Sequence, residues 1–319
     1  MQAFFRGRYV DFADAKVSVM THALNYGTGC FEGIRGYWNP DDEQMYLFRV
    51  PEHFQRLHRS AKILRMRIPH SVEELCEIAA EVVRRNELRE DVYVRPLVYK
   101  SAEQIGLSMV RKTSNGAQPV EDGFTLFAVP FGNYLDVEKP IRCCVSSWFR
   151  ITDNMIPPRA KVTGIYVNSA LAKTDAIENG FDEAIMLTSE GHVSEGSGEN
   201  VFLVRDGALV TPSTSDDILE GITRSTIIQI ARDELGIPTV ERGVDRTELY
   251  IADELFLVGT GAQISPVAEV DRRTVGSGGI GPITAHLQKL YFDLVRGRNP
   301  KYAHWCMGIL PAKVGLRSR

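Results

Sequence analysis

The segment PRAKVTGIYVNSALAK, residues 158–173, holds two lysines in similar surroundings, Lys161 and Lys173. A lysine is ordinarily a solvated surface charge. It becomes a nucleophile or a proton carrier only where burial or a neighbouring cation loosens its proton, and spacing alone does not say which of the two that is. Glu195 and Glu199 in VSEGSGEN (193–200) are the kind of paired acids that hydrolyse glycosides. Four positions along a strand-like segment fix no distance between them, so one solvated acid and one capping acid is the expectation. In EGITRSTII (220–228), Gly221, Ile222 and Thr223 open a helix whose free N–H groups and positive dipole end suit an anion, unless Thr223 merely caps the backbone. VGTGAQ (258–263) offers a second such turn through Thr260 and Gly261, and two in one domain suit a doubly charged group such as phosphate. GSGGIG (276–281) matches G-x-G-x-x-G before a helix. No strand follows to complete a βαβ unit, so a turn ahead of Pro282 is favoured over a dinucleotide-dependent oxidoreductase.

Composition narrows the field. The 319 residues are 44% hydrophobic and 24% charged with a net charge of −4, ordinary for a soluble chain of two domains. Without a basic stripe, nucleic acid is not expected as a partner. Five cysteines in no C-x-x-C pair argue against a disulfide framework, and no signal peptide or bilayer-length apolar run is present, so a cytoplasmic setting is the default. His53 and His58 do not have H-E-x-x-H spacing, and phosphate-loop and nucleophile-elbow motifs are absent, so no metal site is expected.

The elements that must position these residues alternate between strand and helix. AFFRGRYVDF, DAKVSV, FEGIRGYW, QMYLFRV, DVYVRPLVYK and FTLFAVP read as strands, and SMVRKTSNGAQPVED as a polar loop. Helices are expected at PEHFQRLHRSAKILRM and SVEELCEIAAEVVRRNEL, the second opened by a Ser71/Glu74 capping box. The connector FGNYLDVEKP separates a smaller N-terminal α/β domain (1–131) from a larger C-terminal domain (140–319), with 132–139 as the link. In the second domain IRCCVSSW, DEAIMLT, HVSEGSGENVFLV, ALVTP and DELFLVGTGAQISPVAEV are strand-like. GITRSTIIQIARDELG and PITAHLQKLYFDLVRG are helical, and the basic end VGLRSR reads as a solvated tail. The fold class is mixed α/β.

NYGTGCFEGIRGY, FQRLHRSAKIL, YVRPLVY, PRAKVTGIYVNS, VSEGSGENVF, LEGITR and VGTGAQISPV stand in the order found in branched-chain amino acid aminotransferases, of the fold-type IV class of pyridoxal-phosphate enzymes. The resemblance runs from residue 1 to about residue 298 and implies a two-domain fold-type IV architecture. It makes Lys161 the Schiff-base lysine and leaves Lys173 a surface charge. It implies that Arg56, Gly221, Ile222, Thr223 and Thr260 hold the cofactor phosphate, that Glu195 pairs with the ring nitrogen, and that Tyr166 bonds the ring oxygen. Tyr26, Phe31, Gly33, Arg35, Tyr134 and again Tyr166 and Thr260 match the substrate pocket. Tyr93, Gly261 and Ala262 match the α-carboxylate holders, and Arg95 the residue that reaches the glutamate side chain, unless it is a structural ion-pair partner. Leu107 and Met109 resemble residues that reach in from a neighbouring subunit, implying a homodimer or an assembly of dimers. Phe131 and Gln263 depart from the family pattern. The implied reaction moves an amino group from leucine, isoleucine or valine to 2-oxoglutarate. Nearer alternatives are a D-amino acid or (R)-amine transaminase or an aminodeoxychorismate lyase, and a more distant one is a non-catalytic binding protein.

Overall fold

Burial alternates along Val92–Lys100: Val92, Val94 and Pro96 are buried, while Tyr93, Arg95 and Leu97 are half-buried. A strand turns successive side chains to opposite faces, so one face packs the core and the other carries Tyr93 and Arg95. The structure, a computed structural model, describes residues 1–311, and the expected tail VGLRSR lies outside them. Two compact units divide the chain: Met1–Asn25, Phe31–Gly132 and Phe292 onward form one, Tyr26–Cys30 and Asn133–Tyr291 the other.

In chain order the first stretch contains β1 (Gln2–Phe5), β2 (Arg8–Asp11), α1 (His22–Tyr26), β3 (Gly29–Phe31), β4 (Ile34–Asn39) and β5 (Gln44–Phe48). It continues with α2 (Val50–Ile63), α3 (Val72–Arg85), β6 (Val92–Lys100), β7 (Val110–Thr113), β8 (Gly116–Pro119) and β9 (Asp122–Pro130). The capping box of α3 forms: Ser71 Oγ accepts the Glu74 N–H at 3.2 Å, and Glu74 Oε2 accepts the Ser71 N–H at 2.7 Å. The expected strand at DAKVSV (14–19) is absent: a 3-10 turn at Phe12–Asp14 ends on its first residue, and the rest forms no regular element. The polar loop at 108–122 holds the hairpin β7–β8, closed by Thr113 Oγ1 donating to the Gly116 carbonyl at 2.8 Å, with Gly116 at φ +95°. Both strands are largely exposed, so no apolar alternation marked them.

The second stretch contains β10 (Ile141–Val145), α4 (Tyr166–Glu178), β11 (Glu183–Leu187), β12 (Val193–Gly196), β13 (Asn200–Arg205) and β14 (Ala208–Thr211). After these come α5 (Ile222–Leu235), β15 (Thr239–Glu241), β16 (Glu254–Gly259), β17 (Gln263–Val270), β18 (Arg273–Thr274), α6 (Pro282–Val295) and β19 (Cys306–Gly308). The sheet of the first unit runs β19-β5-β4-β6-β9-β1-β2, with β3 on β6. Residues from Phe292 on, expected in the C-terminal domain, group with the first unit because β19 pairs antiparallel with β5. That pairing is long-range and leaves no local signal.

The sheet of the second unit runs β12-β11-β10-β17-β16-β13-β14-β15, with β18 on β17. It is mixed: β10 pairs parallel with β11 and β17, while β13–β14 and β16–β17 are antiparallel. Ile141, Ile185, Val201, Leu203, Leu255, Leu257 and Val267 fill its core. Phe202 and Phe256, paired across β13 and β16, stack with ring centroids 5.3 Å apart. GSGGIG is a turn whose anion position is filled from within the chain. Glu254 sits there, its carboxylate accepting the Ile283 and Thr284 N–H groups at the start of α6 at 2.9 and 2.7 Å. An acid already caps that helix, which removes the dinucleotide reading.

Candidate active site

Lys161 stands just before α4, whose first residue is Tyr166, and its Nζ donates to Tyr166 Oη at 2.7 Å. The amine also lies 5.3 Å from the Tyr166 ring centroid. The preceding loop is tied down. Thr163 Oγ1 donates to the Gly27 and Gly29 carbonyls at 2.8 and 3.2 Å, and Cys30 bridges Val162. Gly27 (φ +67°) approaches Gly164 so closely that an added Cβ would sit 2.9 Å from the Gly164 Cα. This fixes Tyr26–Cys30, including Tyr26, against the Lys161 segment.

Glu195, at the end of β12, is 4% exposed, which corrects the expectation of a solvated acid. Burial of a carboxylate needs a paired charge and filled lone pairs, and both are present. Arg150 Nη2 lies 2.5 Å from Oε1, while Asn200 Nδ2 and the Leu219 N–H donate to Oε2 at 3.1 and 2.9 Å. Asn200 also donates to the Leu219 carbonyl at 3.0 Å. Gly221 makes this possible, since a Cβ there would fall 2.0 Å from Asn200 Oδ1. The same glycine is the N-cap of α5, with no side-chain cap bond, and is followed by buried Ile222 and Thr223. The turn between β16 and β17 presents Thr260, Gly261 and Ala262. Gln263 follows at φ 58° and donates to Asn133 Oδ1 at 3.0 Å. Gly261 faces Tyr134, whose Cβ would lie 3.5 Å from an added Cβ.

Lys173 is no free surface charge. Its amine lies 2.6 Å from Glu183 Oε2 and donates to the Asp182 carbonyl at 2.6 Å, with Glu183 fully buried.

The first unit gathers its own set. Arg56, on α2, is buried and donates through Nε and Nη2 to Glu32 Oε1 and Oε2 at 2.7 and 2.8 Å. His53 Nδ1 lies 2.7 Å from the same carboxylate. Burial alone would raise the Glu32 pKa, but Arg56 and His53 prevail and hold it at about 2. Arg95 Nη2 donates to Tyr93 Oη at 3.2 Å, and its guanidinium lies 4.4 Å from the Phe31 ring centroid and 5.0 Å from that of Tyr93. Among the described residues no carboxylate pairs with Arg95, so the ion-pair alternative has no partner here. Gly33 allows Tyr93 its place, because an added Cβ would come 2.1 Å from Tyr93 Oη. Arg35, expected at the substrate, is 2% exposed and donates to the Phe131 and Gly132 carbonyls at 3.2 and 3.0 Å. It also lies 3.9 Å from Asp91. Bracing of the strand end is the role this geometry gives it.

A half-buried lysine–tyrosine pair, a buried acid fixed by three donors and two anion-suited turns belong to cofactor chemistry. Comparison with known proteins agrees: the amino-transferase class IV family profile matches residues 29–270. The chain belongs to the class IV aminotransferases. It is 48% identical over 303 residues, 95% of each chain, to a probable branched-chain-amino-acid aminotransferase of Aquifex aeolicus. A branched-chain aminotransferase of Thermoproteus uzoniensis, crystallised with norvaline, superposes with a TM-score of 0.90 at 47% identity, covering 97% of this chain and 99% of that one. The branched-chain amino acid aminotransferase of Thermobaculum terrenum, in its PLP-bound holo form, gives 0.88 at 38%, covering 97% and 98%.

Several residues that brace the expected site residues within each unit escaped the sequence reading. Arg150, in WFRIT, carries no motif; only the fold brings it to Glu195. Asn200 was visible at the end of VSEGSGEN, but strand geometry was needed to aim it at Glu195. Glu32 and His53, which anchor Arg56, are 21 positions apart and meet only because β4 and α2 follow β3.

Proposed function

We propose that this class IV aminotransferase uses pyridoxal phosphate to move the amino group of leucine, isoleucine or valine onto 2-oxoglutarate, giving branched 2-oxo acids and L-glutamate. The observation that carries the reading is the 2.7 Å contact between Lys161 Nζ and Tyr166 Oη, in the unit that also fixes Glu195. The residues present fit the cofactor. Lys161 would hold the cofactor covalently, and the glycine-capped start of α5 with Thr260 would take its phosphate; in the first unit, Arg56 is the residue of phosphate-binding type. Glu195 would meet the ring nitrogen. When bound, the cofactor supplies an electron sink for the bond broken at the amino acid's α-carbon.

The protein's own groups do the rest. Tyr166 accepts from the Lys161 amine through its hydroxyl and so orients that nitrogen to take up and return a proton at the amino acid's α-carbon. Arg150, Asn200 and the Leu219 N–H lock Glu195 in one position, so its negative charge is preorganised. Within the second unit Gly261 and Ala262 form the turn whose geometry suits an α-carboxylate; within the first, Tyr93 Oη stands beside Arg95. Arg95, cationic and held over two rings, suits a second carboxylate through charge-assisted hydrogen bonds. Phe31, facing the Arg95 guanidinium, gives that set its apolar surface.

A panel of L-leucine, L-valine, D-alanine and (R)-phenylethylamine with 2-oxoglutarate tests this. Turnover of the L-branched donors is expected. Turnover confined to D-alanine or the amine would move the chain to another member of its class. Assembly belongs to the same proposal: Ile105 and Leu107 are 72% and 80% exposed on the loop after β6, as residues covered by a second copy would be. A cytoplasmic setting is part of it too, consistent with five free cysteines.

A further inference from the structure

The second unit buries more acid than it neutralises. Glu183, Glu195 and Glu199 are 0%, 4% and 3% exposed. Two cations answer them, and both are committed: Lys173 lies 2.6 Å from Glu183, and Arg150 lies 2.5 Å from Glu195. Among the described residues no cation pairs with Glu199, whose Oε2 accepts the Gly198 N–H at 3.0 Å. Its side chain packs against two functional turns. Oε2 would lie 2.7 Å from a Cβ on Gly196, the residue after Glu195, and Cγ would lie 3.7 Å from one on Gly259, the residue before Thr260. Asn200, which holds Glu195, is its chain neighbour.

We infer that Glu199 is an un-ionised positioning acid, kept protonated so that negative charge behind these turns is confined to Glu195, and that it gives up its proton as the solution becomes alkaline. A lone carboxylate without a partner is too costly in such a place, and the group neutralises instead. The groups facing it are Lys173 from α4, Glu183 from β11, Glu195 from β12, Tyr134 from the connector and Cys143 from β10. Burial first, then Glu183, lifts its pKa to about 8, against the N–H of Gly198 and the charge of Lys173. Burial, then Glu199 and Glu183, likewise raises the Tyr134 phenol. Once ionised, Glu199 sets a negative charge behind Gly259, where it opposes any anion held by the Thr260–Ala262 turn. That last consequence rests on the proposed function; the protonation does not.

Glu199→Gln, the uncharged mimic of the protonated acid, tests both halves. The native protein keeps a proton that the unfolded chain releases near the usual 4.5, so this group removes stability as pH rises from there to about 8. Melting of cofactor-free wild type and E199Q at pH 5, 6, 7, 8 and 9 should therefore show a gap in favour of E199Q that widens up to about pH 8 and then stays level. A gap that does not change with pH overturns the protonation. Should E199Q not fold, infrared titration of the wild type replaces it: a protonated-carboxyl band present at pH 7 and lost around pH 8 supports the inference, and no such band overturns it. In the holoenzyme, KM for L-leucine should rise several-fold from pH 7 to 9 in wild type, with less change in kcat, and stay level in E199Q. Superimposable KM profiles overturn the positioning role. Absence of all amino-donor turnover would sink the proposed function and leave the melting result standing.

Discussion

Lys161 and Lys173 share a helix-bound segment and differ entirely in what holds them: a tyrosine hydroxyl for one, a buried glutamate for the other. Substitution separates them. Lys161→Ala should lower kcat by about 10²–10⁴-fold at least, the usual worth of a positioned proton carrier, as single-turnover kinetics would measure. Lys173→Ala should act on stability instead, by leaving Glu183 buried and unpaired. At Gly33, an alanine must displace Tyr93 from the place it shares with Arg95. The expected outcome is a raised KM for L-leucine with little change in cofactor binding, read by steady-state kinetics and by titration of the apoprotein. Glu32 carries a pH signature. Its folded pKa of about 2 lies below the unfolded 4.5, so its contribution is complete above the unfolded value and is lost as pH falls towards 2. Melting of Glu32→Gln should accordingly show a deficit at pH 7 that shrinks between about pH 5 and pH 2, and a deficit that does not vary with pH would contradict that account.

Among the elements, α3 was the easiest to read, because its amphipathic period lies in fourteen consecutive residues and its capping box begins at the residue just before them, Ser71. Ser71→Ala removes the side-chain bond to Glu74 and should cost about 1 kcal/mol in denaturant unfolding. The RDG turn was equally legible: Asp206 and Gly207 both take positive φ, 51° and 77°, as a tight hairpin requires. β7 and β8 were not legible, since a solvent-exposed hairpin has no buried face to impose alternation. The anion-suited starts split. At Gly221 the helix start itself was readable, and Asn200 explains its glycine, whereas GSGGIG looked similar and proved to be capped by Glu254 from another strand. A local motif shows what a turn permits; only tertiary contacts say what fills it. Phe256→Ala would break the stack on Phe202 at the centre of the second sheet, and a loss of about 3–5 kcal/mol is expected by the same measurement.

For the whole molecule, seven ordered blocks carried the family and named the candidate site residues, while the grouping of Phe292 onward with the first unit lay in strand pairing that no block contains. The homodimer or assembly of dimers proposed from Leu107 and its exposed neighbour Ile105 should sediment at twice the 35.7 kDa chain mass or an even multiple of it; a monomer at working concentration would refute it. The central claim concerns one nitrogen. Borohydride reduction of the purified holoprotein, followed by peptide mass mapping, should bleach its yellow colour and leave a phosphopyridoxyl group on the peptide containing Lys161. A label on Lys173 or any other lysine, or protein that binds no pyridoxal phosphate, would contradict it.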